Sequence, residues 1–145
     1  IVFASNALLS TVLALVNVRL IGRFEPRPLI TFGLALSLLG VVILSLSVFV
    51  FNVPTIPVLI GFALIMAATA FIFGNAGACA LAESREHAGT ASAVQGLVQA
   101  TAMATASPLA TSGGGTSAVP MILVMLLGTL GAWVSFFLIA RPKAS

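Results

Sequence analysis

Amides stand inside long apolar runs of this 145-residue chain, among them Asn6, Asn75, Gln95 and Gln99. An amide carries two N–H donors and a carbonyl acceptor. In hydrocarbon it must find partners, so each of the four points to a protein neighbour or a water-filled cavity. Gln95 and Gln99 are four residues apart, which puts them on one face of a helix about 5–6 Å from each other. At about 1.5 Å per residue, Gln99 falls near the middle of its run and Asn6 within about a turn of the middle of its own. Asn75 lies nearer an end. Solute sites of secondary transporters sit close to the bilayer midplane, so all four are candidate cavity residues. Contact with a solute and hydrogen bonding between helices are both open for Gln95, Gln99 and Asn6. Small neighbours around Asn75 favour a structural role for it.

Other chemistry is scarce. The single histidine, His87, adjoins Glu83 and Glu86 in a hinge and has no partner for metal binding or nucleophilic catalysis. The single cysteine, Cys79, excludes an internal disulfide and is expected to be a small buried residue in an apolar run. With no phosphate loop and no ligand cluster, neither an enzyme nor a metal or other cofactor is expected. No Asp, Glu, Lys or Arg interrupts a predicted spanning segment, yet proton-coupled transport needs a titratable group within the membrane. This chain offers none within its predicted spanning segments.

These residues must be held by membrane-spanning helices. Hydrophobic residues make up 60% of the chain and charged residues 6%, against about 25% charged in soluble domains; mean hydropathy is +1.23. Runs near 1–20, 29–51, 57–82, 88–110 and 119–140 each meet the roughly 20 apolar residues that a spanning helix needs. A β-barrel, with alternating segments of about ten residues, does not fit such runs. Pro28, Pro57 and Pro120 mark first helical turns, where a missing N–H costs nothing. Pro108 is expected to bend or end the fourth helix, and the Ser112–Thr116 stretch is an uncharged turn.

The basic residues are one-sided. Arg19, Arg23 and Arg27 lie in the first hinge, Arg85 in the third, and Arg141 with Lys143 in the tail, which accounts for all six. The second and fourth hinges carry no charge. Cytoplasmic loops are enriched in Lys and Arg, so the first and third hinges and the C-terminus are expected in the cytoplasm. This asymmetry also explains the net charge of +3, and no nucleic-acid partner is implied. The amides divide the helices. The first, third and fourth are expected to be inner; the second and fifth, apolar all round, are expected to face lipid. Hydroxyls of the second, Ser37, Ser45 and Ser47, can bond back to their own helix. The chain opens at Ile1 on an apolar run with no flanking anchor, so it is expected to be part of a longer protein.

The segment Val18-Arg19-Leu20-Ile21-Gly22-Arg23-Phe24-Glu25-Pro26-Arg27-Pro28-Leu29 resembles the basic loop motif of the major facilitator superfamily. Gly22 stands where the strong form of that motif is acidic, and Glu25-Pro26 replaces a Gly-Arg pair. The run Asn75-Ala76-Gly77-Ala78-Cys79-Ala80-Leu81-Ala82, then His87-Ala88-Gly89-Thr90-Ala91-Ser92-Ala93 and Gln99, resembles the Bcr/CflA drug-resistance group of that superfamily. The resemblance covers essentially the whole chain. It implies an all-α membrane protein whose five transmembrane helices are the last of twelve, with the N-terminal half missing here. It also implies a proton-driven multidrug exporter of the bacterial inner membrane, with a lipophilic drug-like substrate, a proton and the lipid bilayer as partners. Movement of a small metabolite by the same fold, and a membrane scaffold that transports nothing, are the alternatives.

Overall fold

The computed structural model describes residues 8, 11–12, 15–17, 19, 25–50, 55–114 and 117–139. They form four long helices: α1 (Pro26–Phe49), α2 (Thr55–Glu83), α3 (Ala88–Thr111) and α4 (Val119–Ile139), with one 3-10 turn at Arg85–His87. The described residues between Leu8 and Arg19 are also helical. No strand occurs among the described residues. Three helices are long and apolar enough to cross a bilayer, over Pro26–Phe49, Thr55–Glu83 and Val119–Leu138. The helix α3, with 24 residues, is just as long as α1. Its amides, hydroxyls and small residues leave it less apolar. Helices thus stand at the second to fifth expected segments. The first segment lies mostly outside the described residues, and so do Asn6 and Arg23.

Proline places the helix starts. Pro26 occupies the first turn of α1, while Pro57 and Pro120 fall in the first turns of α2 and α4. Their fixed φ suits a helix, and the missing N–H had no acceptor there. Pro108 does not end α3, which continues to Thr111. Carbonyls on either side of the proline accept from side chains: Thr111 Oγ1 donates to Ser107 O at 3.0 Å and Ser112 Oγ to Leu109 O at 2.8 Å. Such local acceptors substitute for the intrahelical donors that a helix end lacks.

The helices run up and down. Gly33 of α1 faces Ala68, Phe71 and Ile72 of α2, and Gly40 faces Gly61 and Leu64, so the pair is antiparallel. Across α1 and α4, Ser37 Oγ lies 3.1 Å from Thr129 Oγ1 and Trp133 Nε1 donates to Leu34 O at 3.2 Å, which is again antiparallel. The N-terminus of α1 with Arg27, the hinge with Arg85 and the C-terminus of α4 therefore share one end of the bundle. The uncharged turn at Ser112–Gly114 lies at the other end. Arg19 is exposed and lies two residues beyond Asn17, which bonds to α2 eight residues before Glu83 at Asn75. It belongs to the same end. The remaining tail cations, Arg141 and Lys143, lie outside the described residues.

The densest packing joins α1 to α2. A methyl group on Gly33 would come within 3.0 Å of Phe71 Cβ, one on Gly40 within 2.9 Å of Gly61 O, and one on Gly61 within 3.1 Å of Gly40 O. Bare glycines thus let two backbones approach, as small residues do where membrane helices cross. Leu34, Val41 and Leu44 of α1 and Ala68 and Phe71 of α2 fill the seam. Phe32 meets Phe71 edge-on, with ring centroids 5.3 Å apart.

Contacts within the chain follow another division than inner and outer helices. The second segment, α1, was placed at the periphery but is the hub, contacting both α2 and α4. Being apolar all round permits contact with lipid; it equally permits burial on two sides. The fourth segment, α3, expected to face protein or a water-filled cavity, buries no residue against the described residues. The hydroxyls of α1 behave largely as expected. Ser45 donates to Val41 O and Ser47 to Ile43 O, both at 2.7 Å. Ser37 pairs with α4 instead.

Candidate functional site

The helices α2 and α3 leave the 3-10 turn close together and touch little thereafter. The gap between them is a cleft of about 530 Å³. Its α3 wall presents Gln95, Val98, Gln99, Ala102, Met103 and Ala106; its α2 wall presents Phe73. The recurrence of 95, 99, 102 and 106 is one face of a helix. Small residues leave the room, and Phe73, Val98 and Met103 give it an apolar, adaptable lining. The two glutamine amides are its hydrogen-bonding groups, each half-buried. Volume and chemistry are those of a site for a compact, mainly apolar molecule, with one or two polar groups to orient it.

Gln95 does more than line the cleft. A methyl group on Gly77 of α2 would lie 3.3 Å from Gln95 Nε2 and 3.9 Å from Oε1. The amide therefore rests against a stretch of α2 that has no side chain. Gln99, one turn further from the hinge, has no such seat and faces the cleft.

Asn75 is not a cavity residue. It is fully buried, and its Nδ2 donates to Asn17 Oδ1 at 2.9 Å and to Phe71 O at 2.7 Å. Asn17 in turn donates from Nδ2 to Ala70 O at 2.9 Å and is buried as well. The pair ties the segment before α1 to α2. Both Asn75 amide protons go to acceptors, so its orientation is fixed by the network, and Asn75 Oδ1 is left without a partner. A methyl on the adjacent Gly74 would fall 2.8 Å from Asn17 Nδ2, so a bare helix surface again seats an amide. Asn17 was missed in the sequence although it lies in the first apolar run, because it sits near the end of that run, two residues from Arg19. Its signal is an amide on the apolar side of Arg19, with nothing in water's reach to replace a partner.

The charged residues stay at the hinge end. Glu83 closes α2, Arg85 and Glu86 lie in the 3-10 turn, and His87 precedes α3; all are exposed. Cys79, expected to be buried, is instead exposed on α2 and unpaired with any other cysteine. Among the described residues, no group of three or more His, Cys, Asp or Glu could hold a metal ion. Comparison with protein-family models, with curated proteins and with solved structures found no match.

Proposed function

We propose that this chain is the C-terminal part of a secondary transporter of the major facilitator type, a proton-driven multidrug exporter of the Bcr/CflA kind. It would sit in a bacterial inner membrane with its C-terminus in the cytoplasm. The observation that carries this reading is the α2–α3 cleft, where two glutamine amides one turn apart face an apolar space of about 530 Å³. Solute sites of secondary transporters are built between helices near the bilayer midplane, and Gln99 is the twelfth residue of the 24-residue α3. Gathering of Arg19, Arg27 and Arg85 at one end of the bundle supports the orientation. The sequence resemblance supplies direction of transport and driving ion. Coupling would reside in a carboxylate elsewhere in the transporter, because the carboxylates of this chain, Glu25, Glu83 and Glu86, lie at helix ends and in hinges.

The experiment is efflux of a lipophilic fluorescent dye from cells carrying the full-length gene, with and without an uncoupler. Export that stops on uncoupling and changes its substrate profile in Gln99→Leu is expected. Uptake of the dye along the gradient would favour the metabolite-carrier reading. No gene-dependent movement of any solute would leave the scaffold reading.

A further inference from the structure

Two cavities stand in line in the groove between α2 and α3. Beyond the cleft, toward the hinge, lies one of about 550 Å³ lined by Glu83, Ser84, His87 and Thr90 among others. Gln95 borders both. It is also where an α3 side chain meets bare α2 backbone, since a methyl group on Gly77 would stand 3.3 Å from Gln95 Nε2 and 3.9 Å from Oε1. Gly74, about one turn of α2 away, gives the contrast. A methyl group there would fall 2.8 Å from Asn17 Nδ2, but that amide is already spent, donating to Ala70 O at 2.9 Å and accepting from Asn75. Bulk at Gly74 must break a hydrogen bond. Among the described residues, neither Gln95 nor Gln99 gives an amide hydrogen to another side chain or carbonyl, so bulk at Gly77 displaces a side chain that is free to turn.

We propose that Gly77 and Gln95 together form the end wall of the cleft and so fix the length of solute that it admits. The proposal rests on the reading of the cleft as a solute site. The α3 side of the cleft runs from Gln95 to Ala106, a rise of about 16 Å at 1.5 Å per residue. Along it the apolar body of a solute lies against Phe73, Val98 and Met103, with the Gln99 amide in reach of a polar group. The bulk of the end wall is borne by α3 alone, because Gly77 contributes none. Moving bulk between the two positions therefore moves the wall. More at residue 77 shortens the cleft, less at residue 95 joins it to the hinge-end cavity, and the two changes together offset each other. The wall bounds an end and leaves the side open. Since α3 buries no residue and Val98 and Met103 are exposed, the wall is no barrier to a solute's arrival or release. Gly77 and Gln95 select by size; Gln99 remains the contact within.

The test is thermal stabilisation of the purified full-length protein in mild detergent by neutral para-alkylbenzamides, a series that lengthens by one methylene at a time. A ligand that binds only the folded state raises the melting temperature, and the longest member that does so is the measurement. Gly77→Val should shorten it by a few methylenes and Gln95→Ala should lengthen it by as much, while Gly77→Val/Gln95→Ala returns it to the wild-type length. Gln95→Ala only removes bulk and decides alone if Gly77→Val does not fold. Gly74→Ala should lower the melting temperature itself and leave the longest member unchanged, because its bulk meets a bonded amide outside the cleft. Gln99→Leu should weaken stabilisation by the whole series without changing its longest member. The same longest member in every variant would overturn the wall, and so would single shifts that do not offset each other in the double variant. If no member stabilises the wild type, the solute reading fails and the wall falls with it.

Discussion

A methyl group added at Gly40 would meet the Gly61 carbonyl oxygen at 2.9 Å, whereas one added at Gly89 or Gly96 would meet nothing within 4 Å. The first glycine belongs to the α1–α2 seam, the other two to α3. Both regions use small residues, and they put them to opposite ends. In the seam, glycine removes bulk so that two backbones can pack without a void, and the neighbouring Leu34, Val41 and Leu44 are almost wholly buried. Along α3, small residues remove bulk, and among the described residues nothing comes within 4 Å of a methyl placed at Gly89 or Gly96. What remains is the cleft on one side and an open face on the other. The comparison teaches that a small-residue run states only that space is wanted. Whether the space is filled by a helix or kept for a ligand depends on the partner face.

The largest effect should come from filling the seam. Gly40→Val would push two methyl groups toward a backbone carbonyl that cannot move aside, and overpacking of this kind costs about 3 kcal/mol. Thermal unfolding of the purified protein in mild detergent, followed by circular dichroism, would read it. An unchanged melting temperature would mean that α1 and α2 do not meet on these glycines.

Next is the buried amide pair. Asn75→Leu removes the donor to Asn17 Oδ1 and leaves that oxygen buried without a partner, a loss of about 1–2 kcal/mol. Because replacing both partners by apolar groups is far less costly than orphaning one, the double variant Asn17→Leu/Asn75→Leu should be more stable than the sum of the single variants. Strict additivity in the same melting assay would show that the two amides act independently.

The sequence made much of this legible, and its failures have physical reasons. Helix positions followed from apolar runs punctuated by proline, because bilayer thickness and the missing proline N–H are local constraints. The shared face of Gln95 and Gln99 followed from helical periodicity. The centrality of α1 did not. A segment apolar on every side has no polar face to show which way it turns, and its informative residues, Gly33 and Gly40, carry their meaning only against Gly61 and Ala68 on the partner helix. Small neighbours around Asn75 pointed to a structural role, yet its partner Asn17, 58 residues away in the sequence, could not be paired with it before the helices were placed.

A smaller effect is expected where a hydroxyl has an alternative. Thr129→Val removes one side of the contact between Ser37 and Thr129 at 3.1 Å. Ser37 can then turn back to its own helix, as Ser45 and Ser47 do, so the loss should be near 0.6 kcal/mol, the average for side-chain hydrogen bonds between membrane helices. A loss as large as that for Asn75→Leu would mean that Ser37 cannot reorient. It would also make α4 as firmly fixed to α1 as the amide pair makes its own segments.

The smallest effect has the opposite sign. Gly96 lies in the middle of α3 with open space where a side chain would be. Glycine in a helix interior is less stable than alanine by about 0.5 kcal/mol or a little more, because the unfolded chain has more freedom to lose. Gly96→Ala should therefore raise the melting temperature of this chain slightly, while Gly40→Ala in the seam should lower it or leave it level. The pair of alanine substitutions is the cleanest comparison of the two regions, since chemistry and helix propensity are the same in both and only the neighbours differ. If Gly96→Ala is destabilising instead, another helix sits against that face, and α3 is bordered on its open side. If it stabilises, the face is open to lipid or water, and the glycine there keeps space rather than contact.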